Sequence, residues 1–151
     1  MEDRAAAALA ASHRSAENAL RPGSGVVRLV AHRGSGHAFN DPAGPPENTL
    51  AAVAYGYAQG ADAVEVDAWR TADGQVVLFH DETSDRTTDR PGWTIAKASY
   101  ADLLTASAGA WKGQGWAGAG IPTLTLCAEL VPPGRALVVE VEEGPQVVAD
   151  V

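Results

Sequence analysis

From residue 60 to residue 81 the chain reads GADAVEVDAWRTADGQVVLFHD, two apolar runs joined by a polar turn. The alternation over 61–70 predicts a strand. Because strand side chains alternate, Glu65, Asp67 and Trp69 share one face, and Val64, Val66 and Ala68 share the other. Two carboxylates on one face of an otherwise apolar strand are costly unless they are paired or bound to a cation. An oxygen-preferring divalent ion, Mg²⁺ or Ca²⁺, is a natural partner for such a pair. A solvated edge-strand face is the other way to accommodate them. Residues 73–81 predict a turn leading into a further strand, which ends at His80 and Asp81.

Toward the N-terminus, VVRLVAH at 26–32 predicts a buried strand delivering His32, with Arg33 next to it. Residues 47–60 predict a helix: Pro45 and Pro46 precede it, Leu50, Val53 and Tyr57 recur at helical spacing, and Gly60 stops it. Residues 4–21 are alanine-rich, favour helix and end at PGSG, so 1–25 reads as a leader or tail apart from a domain over 26–151. Toward the C-terminus, a short helix is expected over 99–106 with Ser99 as N-cap. Another is expected over 123–131, ended by Pro132 and Pro133, and then a strand over 135–144. Residues 107–120, rich in Gly, Ala and Trp, show no clear period. Strands alternating with helices indicate an α/β fold with a parallel sheet, whose chemistry gathers at the C-terminal ends of the strands.

Several candidates lie at such ends. His32 and His80 each finish a strand, and two imidazoles titrating near neutrality can divide proton donation and acceptance. In the last strand Glu140 and Glu142 point one way and Val139 and Val141 the other. They offer either a third carboxylate for a metal site or surface charge at a strand end. Arg33 supplies a positive fork suited to phosphate oxygens, or to an ion pair with a neighbouring carboxylate. Glu47, at the expected helix start, is placed where the helix dipole favours a carboxylate. Arg86, Thr87 and Thr88 are expected to shape their loop by side-chain hydrogen bonds, and His13 and His37 to be surface residues.

Composition narrows the function. The 151 residues, 46% of them hydrophobic, suffice for one domain with a core. With 19 acidic residues against 11 basic and a net charge of −8, the chain has no Lys/Arg block able to neutralise a nucleic-acid backbone. An acidic protein handling an anionic substrate needs local positive charge or a metal. The single cysteine, Cys127, excludes an internal disulfide, and no stretch approaches a membrane span, so a cytoplasmic location is the expectation.

The motifs AHRG and PENTLAA, then GADAVEVDAWRTADGQVVLFHD, RTTD and IPTL, in this order, resemble those of the glycerophosphodiester phosphodiesterase family from about residue 29 to 142. The resemblance implies a TIM (β/α)₈-type barrel and metal-dependent hydrolysis of glycerophosphodiesters to glycerol 3-phosphate and an alcohol. By motif it implies His32 and His80 as the acid–base pair and Glu65, Asp67 and Glu140 as ligands to Mg²⁺ or Ca²⁺. Arg33 becomes a phosphate contact, and the partner a small-molecule glycerophosphodiester. Three features depart from the family's pattern. Glu142 stands where a lysine is usual, Ser107 stands where an aspartate is usual, and the loop between His32 and Glu47 is longer.

A barrel of this type takes roughly 250 residues, so the chain is expected to hold about the first four βα units. A fragment, a truncated product, or a half that self-associates or pairs with a missing C-terminal half would meet that expectation. The alternatives to catalysis are an inactive half-barrel that binds metal without turnover and, within enzymes, a phospholipase-D-like lipid phosphodiesterase.

Overall fold

A computed structural model describes residues 28–35 and 41–142. The leader over 1–25, His13, His37 and the outer ends of the first and last expected strands lie outside the described residues. The elements are β1 (Val30–Ala31), α1 (Leu50–Ala58), β2 (Ala63–Arg70), β3 (Val76–Leu78), α2 (Tyr100–Leu103), α3 (Leu124–Ala128) and β4 (Ala136–Val141). Three short 3₁₀ turns, at Ile95–Lys97, Ala110–Lys112 and Gln114–Trp116, fill the connection between α2 and its neighbours.

The sheet is centred on β2. β1 pairs with it in parallel through Val30–Ala63 and Ala31–Val64, and β4 pairs in parallel from Ala63–Ala136 to Ala68–Val141. β3 is antiparallel, with Leu78 opposite Ala68 and Val76 opposite Arg70. Ala63 has partners on both β1 and β4, and Ala68 on both β3 and β4. β1 and β3 therefore share one edge of β2, and β4 takes the other. The α/β class holds, but the strand after residue 75 is not a further parallel barrel strand. A parallel return needs a crossover of a dozen or more residues, and only five separate β2 from β3. That link is a tight turn in which Thr71 N–H donates to the Gln75 carbonyl at 2.8 Å and Gln75 N–H donates to Thr71 Oγ1 at 2.9 Å. Gly74 sits there at φ +85°, a left-handed conformation that glycine adopts without steric cost.

Two cores flank this hairpin. Val64 and Val66, on the apolar face of β2, pack with Val53 of α1, Leu78, and Leu124 and Cys127 of α3. Val77, Phe79, Ile95, Leu103, Ala106, Ala108 and Ile121 form the second core, with Trp69, Trp93 and Tyr100 against it. The IPTL motif joins the two: Ile121 enters the second core, the Pro122 carbonyl accepts from Leu78 N–H at 2.9 Å, and Leu124 enters the first. Thr123 caps α3, accepting from Leu126 N–H. Ser99 caps α2 as expected, accepting from Asp102 N–H. The first helix begins three residues later than predicted, because Thr49 is its N-cap, accepting from Ala52 N–H. Glu47 therefore lies outside the first turn, and the helix dipole is not what places it.

Candidate active site at the sheet's C-terminal edge

Glu65 and Asp67 leave β2 on the face opposite Val64 and Val66. They are buried, at 9% and 0% exposure. Asp67 stands opposite Glu140 in the β2–β4 register. Glu65, Asp67 and Glu140 each bring a carboxylate oxygen within 4.8 Å of the others. Asp67 is fixed from the loop before α1. Asn48 Nδ2–H donates to Asp67 Oδ2 at 2.7 Å, and Asp67 N–H donates to Asn48 Oδ1 at 3.1 Å. Asn48 makes this two-way contact from φ +54°, a left-handed conformation that asparagine tolerates better than most residues. Arg33, at φ +52°, turns the chain after β1 so that its backbone N–H donates to Glu65 Oε2 at 2.7 Å.

The remaining oxygens, Glu65 Oε1 and Asp67 Oδ1, are buried without a hydrogen-bond partner. Burial pushes the Glu65 carboxyl above its usual range, and the charge of Asp67 adds to this, although the Arg33 amide opposes it. An orphaned buried carboxylate oxygen costs free energy that a bound cation would recover. The residues present therefore fit an oxygen-liganded divalent ion.

His80 reaches this cluster by the antiparallel return of β3, not at the end of a parallel strand. Phe79 N–H donates to the Asp67 carbonyl at 3.0 Å, and Trp69 Nε1–H donates to the His80 carbonyl at 3.0 Å, which fixes the residue beside Asp67. Its Nδ1 lies 2.6 Å from Asp81 Oδ1, and its Nε2 lies 4.0 Å from Glu142 Oε1. The hydrogen bonds of Arg86 hold the Asp81 carboxyl down at about 2, with His80 assisting. Asp81 is therefore an acceptor at neutral pH, so Nδ1 donates to it and Nε2 is left facing Glu142 and the cluster. His32 is exposed just after β1, near enough to Glu65 for its charge to bear on that carboxyl.

Arg33 donates to Glu47 Oε1 at 2.9 Å, and its Nε lies 3.7 Å from Asp67 Oδ2. Glu47, buried to 4% exposure, also receives two hydrogen bonds from Arg86, at 2.7 and 2.8 Å. Arg86 in turn donates to Asp81 at 2.7 and 2.9 Å. A chain of ion pairs thus runs from the β1 loop through Glu47 and Arg86 to the partner of His80. Thr88 shapes the loop as anticipated, its hydroxyl donating to the Ser84 carbonyl at 2.7 Å. Asp89 accepts from Ser107 N–H at 2.7 Å, tying RTTD to the glycine-rich segment. Sequence reasoning passed over Asn48 and the bridging role of Arg86. The signal for Asn48 was present in PPENT, where the proline pair and the cap Thr49 leave only Glu47 and Asn48 to turn the chain, and asparagine is the one that tolerates a positive φ.

Residues 32–150 match the glycerophosphoryl diester phosphodiesterase family. The chain belongs to that family. It is 38% identical over 117 residues to a glycerophosphodiester phosphodiesterase of Caldanaerobacter subterraneus, covering 77% of this chain and 45% of that protein. It is 50% identical over 66 residues to glycerophosphodiester phosphodiesterase 1 of Bos taurus, covering 44% of this chain and 18% of the relative. Among solved structures, an Oleispira antarctica phosphodiesterase in complex with the product sn-glycerol-3-phosphate superposes with a TM-score of 0.71 at 35% identity, over 83% of this chain and 48% of that one. The Agrobacterium tumefaciens glycerophosphodiester phosphodiesterase gives 0.68 at 33% identity, over 77% and 47%. The chain thus spans about half the length of these barrel-type relatives or less. Glu142, at a position where the family resemblance implies lysine, lies beside His80 and Asp67.

Proposed function

We propose that this site hydrolyses glycerophosphodiesters to glycerol 3-phosphate and an alcohol, with Mg²⁺ or Ca²⁺ held by Glu65, Asp67 and Glu140. The observation that carries the reading is the pair of buried, unpartnered oxygens, Glu65 Oε1 and Asp67 Oδ1, in a triad whose ligand atoms lie within 4.8 Å. A bound divalent cation supplies positive charge opposite the phosphoryl oxygens. The chain's residues do the rest. Arg33, held by Glu47, contacts the phosphate and fixes the diester at the mouth. His32 and His80 divide proton transfer, one taking a proton from the attacking water as its oxygen bonds to phosphorus and the other protonating the alkoxide as its P–O bond breaks. Asp81 holds the His80 ring in one orientation throughout. The product bound by the Oleispira relative is the one this reaction releases. We assign the domain to residues 26–151 and the partner to a small-molecule glycerophosphodiester.

The test is turnover of glycerophosphocholine with Mg²⁺ or Ca²⁺, in the parent chain and in His32→Ala and His80→Ala. Loss of a general acid or base typically costs about 10²–10⁴-fold in rate, and each substitution is expected to fall in that range. Folded protein without turnover, or turnover indifferent to both substitutions, contradicts the assignment.

A further inference from the structure

A second set of donors adjoins the first. Asp67, His80 and Glu142 also bring their ligand atoms within 4.8 Å of one another, so Asp67 belongs to two triads. The pattern of alternation explains the proximity. Glu140 and Glu142 share a face of the chain, so the carboxylate beyond the first triad projects to the same mouth, where the returning β3 has delivered His80. Two further observations point to a ligand. Asp67 is fully buried and its Oδ1 lacks a hydrogen-bond partner. His80 is oriented by a carboxylate on Nδ1 with its Nε2 turned toward Glu142, the arrangement that ligating histidines use to fix their aim.

We propose that Asp67, His80 and Glu142 form a second divalent-cation position beside the Glu65–Asp67–Glu140 position, with Asp67 common to both. One imidazole and two carboxylates are a donor set for an imidazole-accepting ion such as Zn²⁺, whereas Mg²⁺ prefers oxygen ligands and retained water. Two ligands about 2.1 Å from a tetrahedral ion stand about 3.4 Å apart, so the 4.0 Å between His80 Nε2 and Glu142 Oε1 requires only a small closure. The carboxyl groups of Glu65, Asp67, Glu140 and Glu142 all gather at this one mouth. Occupancy engages the Nε2 lone pair, so such an ion withholds His80 from proton transfer. The position would then regulate the activity proposed above, and the inference rests on that reading for this consequence alone.

The test is equilibrium dialysis of the full chain against Zn²⁺, with the His80 ring nitrogens followed by NMR. Two zinc ions per chain at the acidic mouth and a zinc-dependent shift of His80 Nε2 are expected in the parent. Glu142→Gln should weaken the second zinc at least tenfold and abolish that shift, while Glu65→Gln should leave the shift in place. Mg²⁺ should bind once in the parent and in Glu142→Gln. An unmoved His80 resonance in the parent overturns the inference without recourse to any variant, as does retention of both zinc ions by Glu142→Gln. Failure of Mg²⁺ binding with the His80 shift intact would instead count against the first position alone.

Discussion

At the scale of single residues, the site is held together by charges that lie behind it. Burial works to raise the Glu47 carboxyl, but the hydrogen bonds and charge of Arg86, followed by those of Arg33, outweigh it and hold the group below its ordinary value. Removing one partner from a buried pair costs roughly 3–5 kcal/mol. Arg86 is 44% exposed, so solvent screening brings the expectation for Glu47→Gln to about 2–3 kcal/mol at neutral pH. Groups whose folded pKa is depressed stabilise the fold above their unfolded pKa, near 4, and lose that contribution as pH falls through the folded value. The gap between parent and Glu47→Gln should therefore be widest at pH 7 and shrink below about pH 4, as read by urea midpoints across pH. A gap that grows on acidification would contradict the pairing. The gathering of Glu65, Asp67 and Glu140 was legible in the sequence because alternation puts them on one face, whereas the parts proposed for them and for His32, His80 and Arg33 come from the motifs. The Glu47–Arg86–Asp81 bridge was not legible, because its members are 39 and 5 residues apart on loops with no period to connect them.

At the scale of elements, close approach of α1 to the turn after β1 sets the position of Arg33 and Glu65. Gly34, at φ +90°, donates its N–H to the Glu65 carbonyl at 2.9 Å. Gly56 of α1 faces it, and a Cβ built on Gly56 would overlap the Gly34 carbonyl oxygen and meet Ala31 Cβ at 2.9 Å. The obstructing atom is backbone and cannot swing away. Gly56→Ala is expected to destabilise by about 1–3 kcal/mol despite alanine's higher helix propensity, measured by chemical denaturation. A neutral or stabilising result would show that the helix can retreat without cost. The strands Ala63–Arg70 and Ala136–Val141 and the helices capped by Ser99 and Thr123 were readable because alternation, caps and proline stops agree. The direction of β3 was not read, since apolar alternation fixes which face a strand buries but not which way it runs. Only the short link, with Thr71 and Gly74 closing it, carried that information.

At the scale of the whole molecule, parallel pairing of β1 and β4 on β2 converges the ends of three strands on one acidic mouth, and the β2–β3 hairpin adds His80 to it. Among the described residues no helix is long and apolar enough to cross a membrane. The net charge of −8 makes an anionic substrate unwelcome unless the mouth itself is made positive. Cation binding by Glu65, Asp67 and Glu140 is thus what the proposed hydrolysis depends on. The most direct measurement is glycerophosphocholine hydrolysis by the parent chain and by Glu65→Gln, each titrated with Mg²⁺ or Ca²⁺ and followed by release of glycerol 3-phosphate. Turnover should rise with cation concentration and saturate in the parent, with at least a hundredfold loss in Glu65→Gln that added cation only partly restores. Cation-independent turnover, or equal cation dependence in the two proteins, would contradict it.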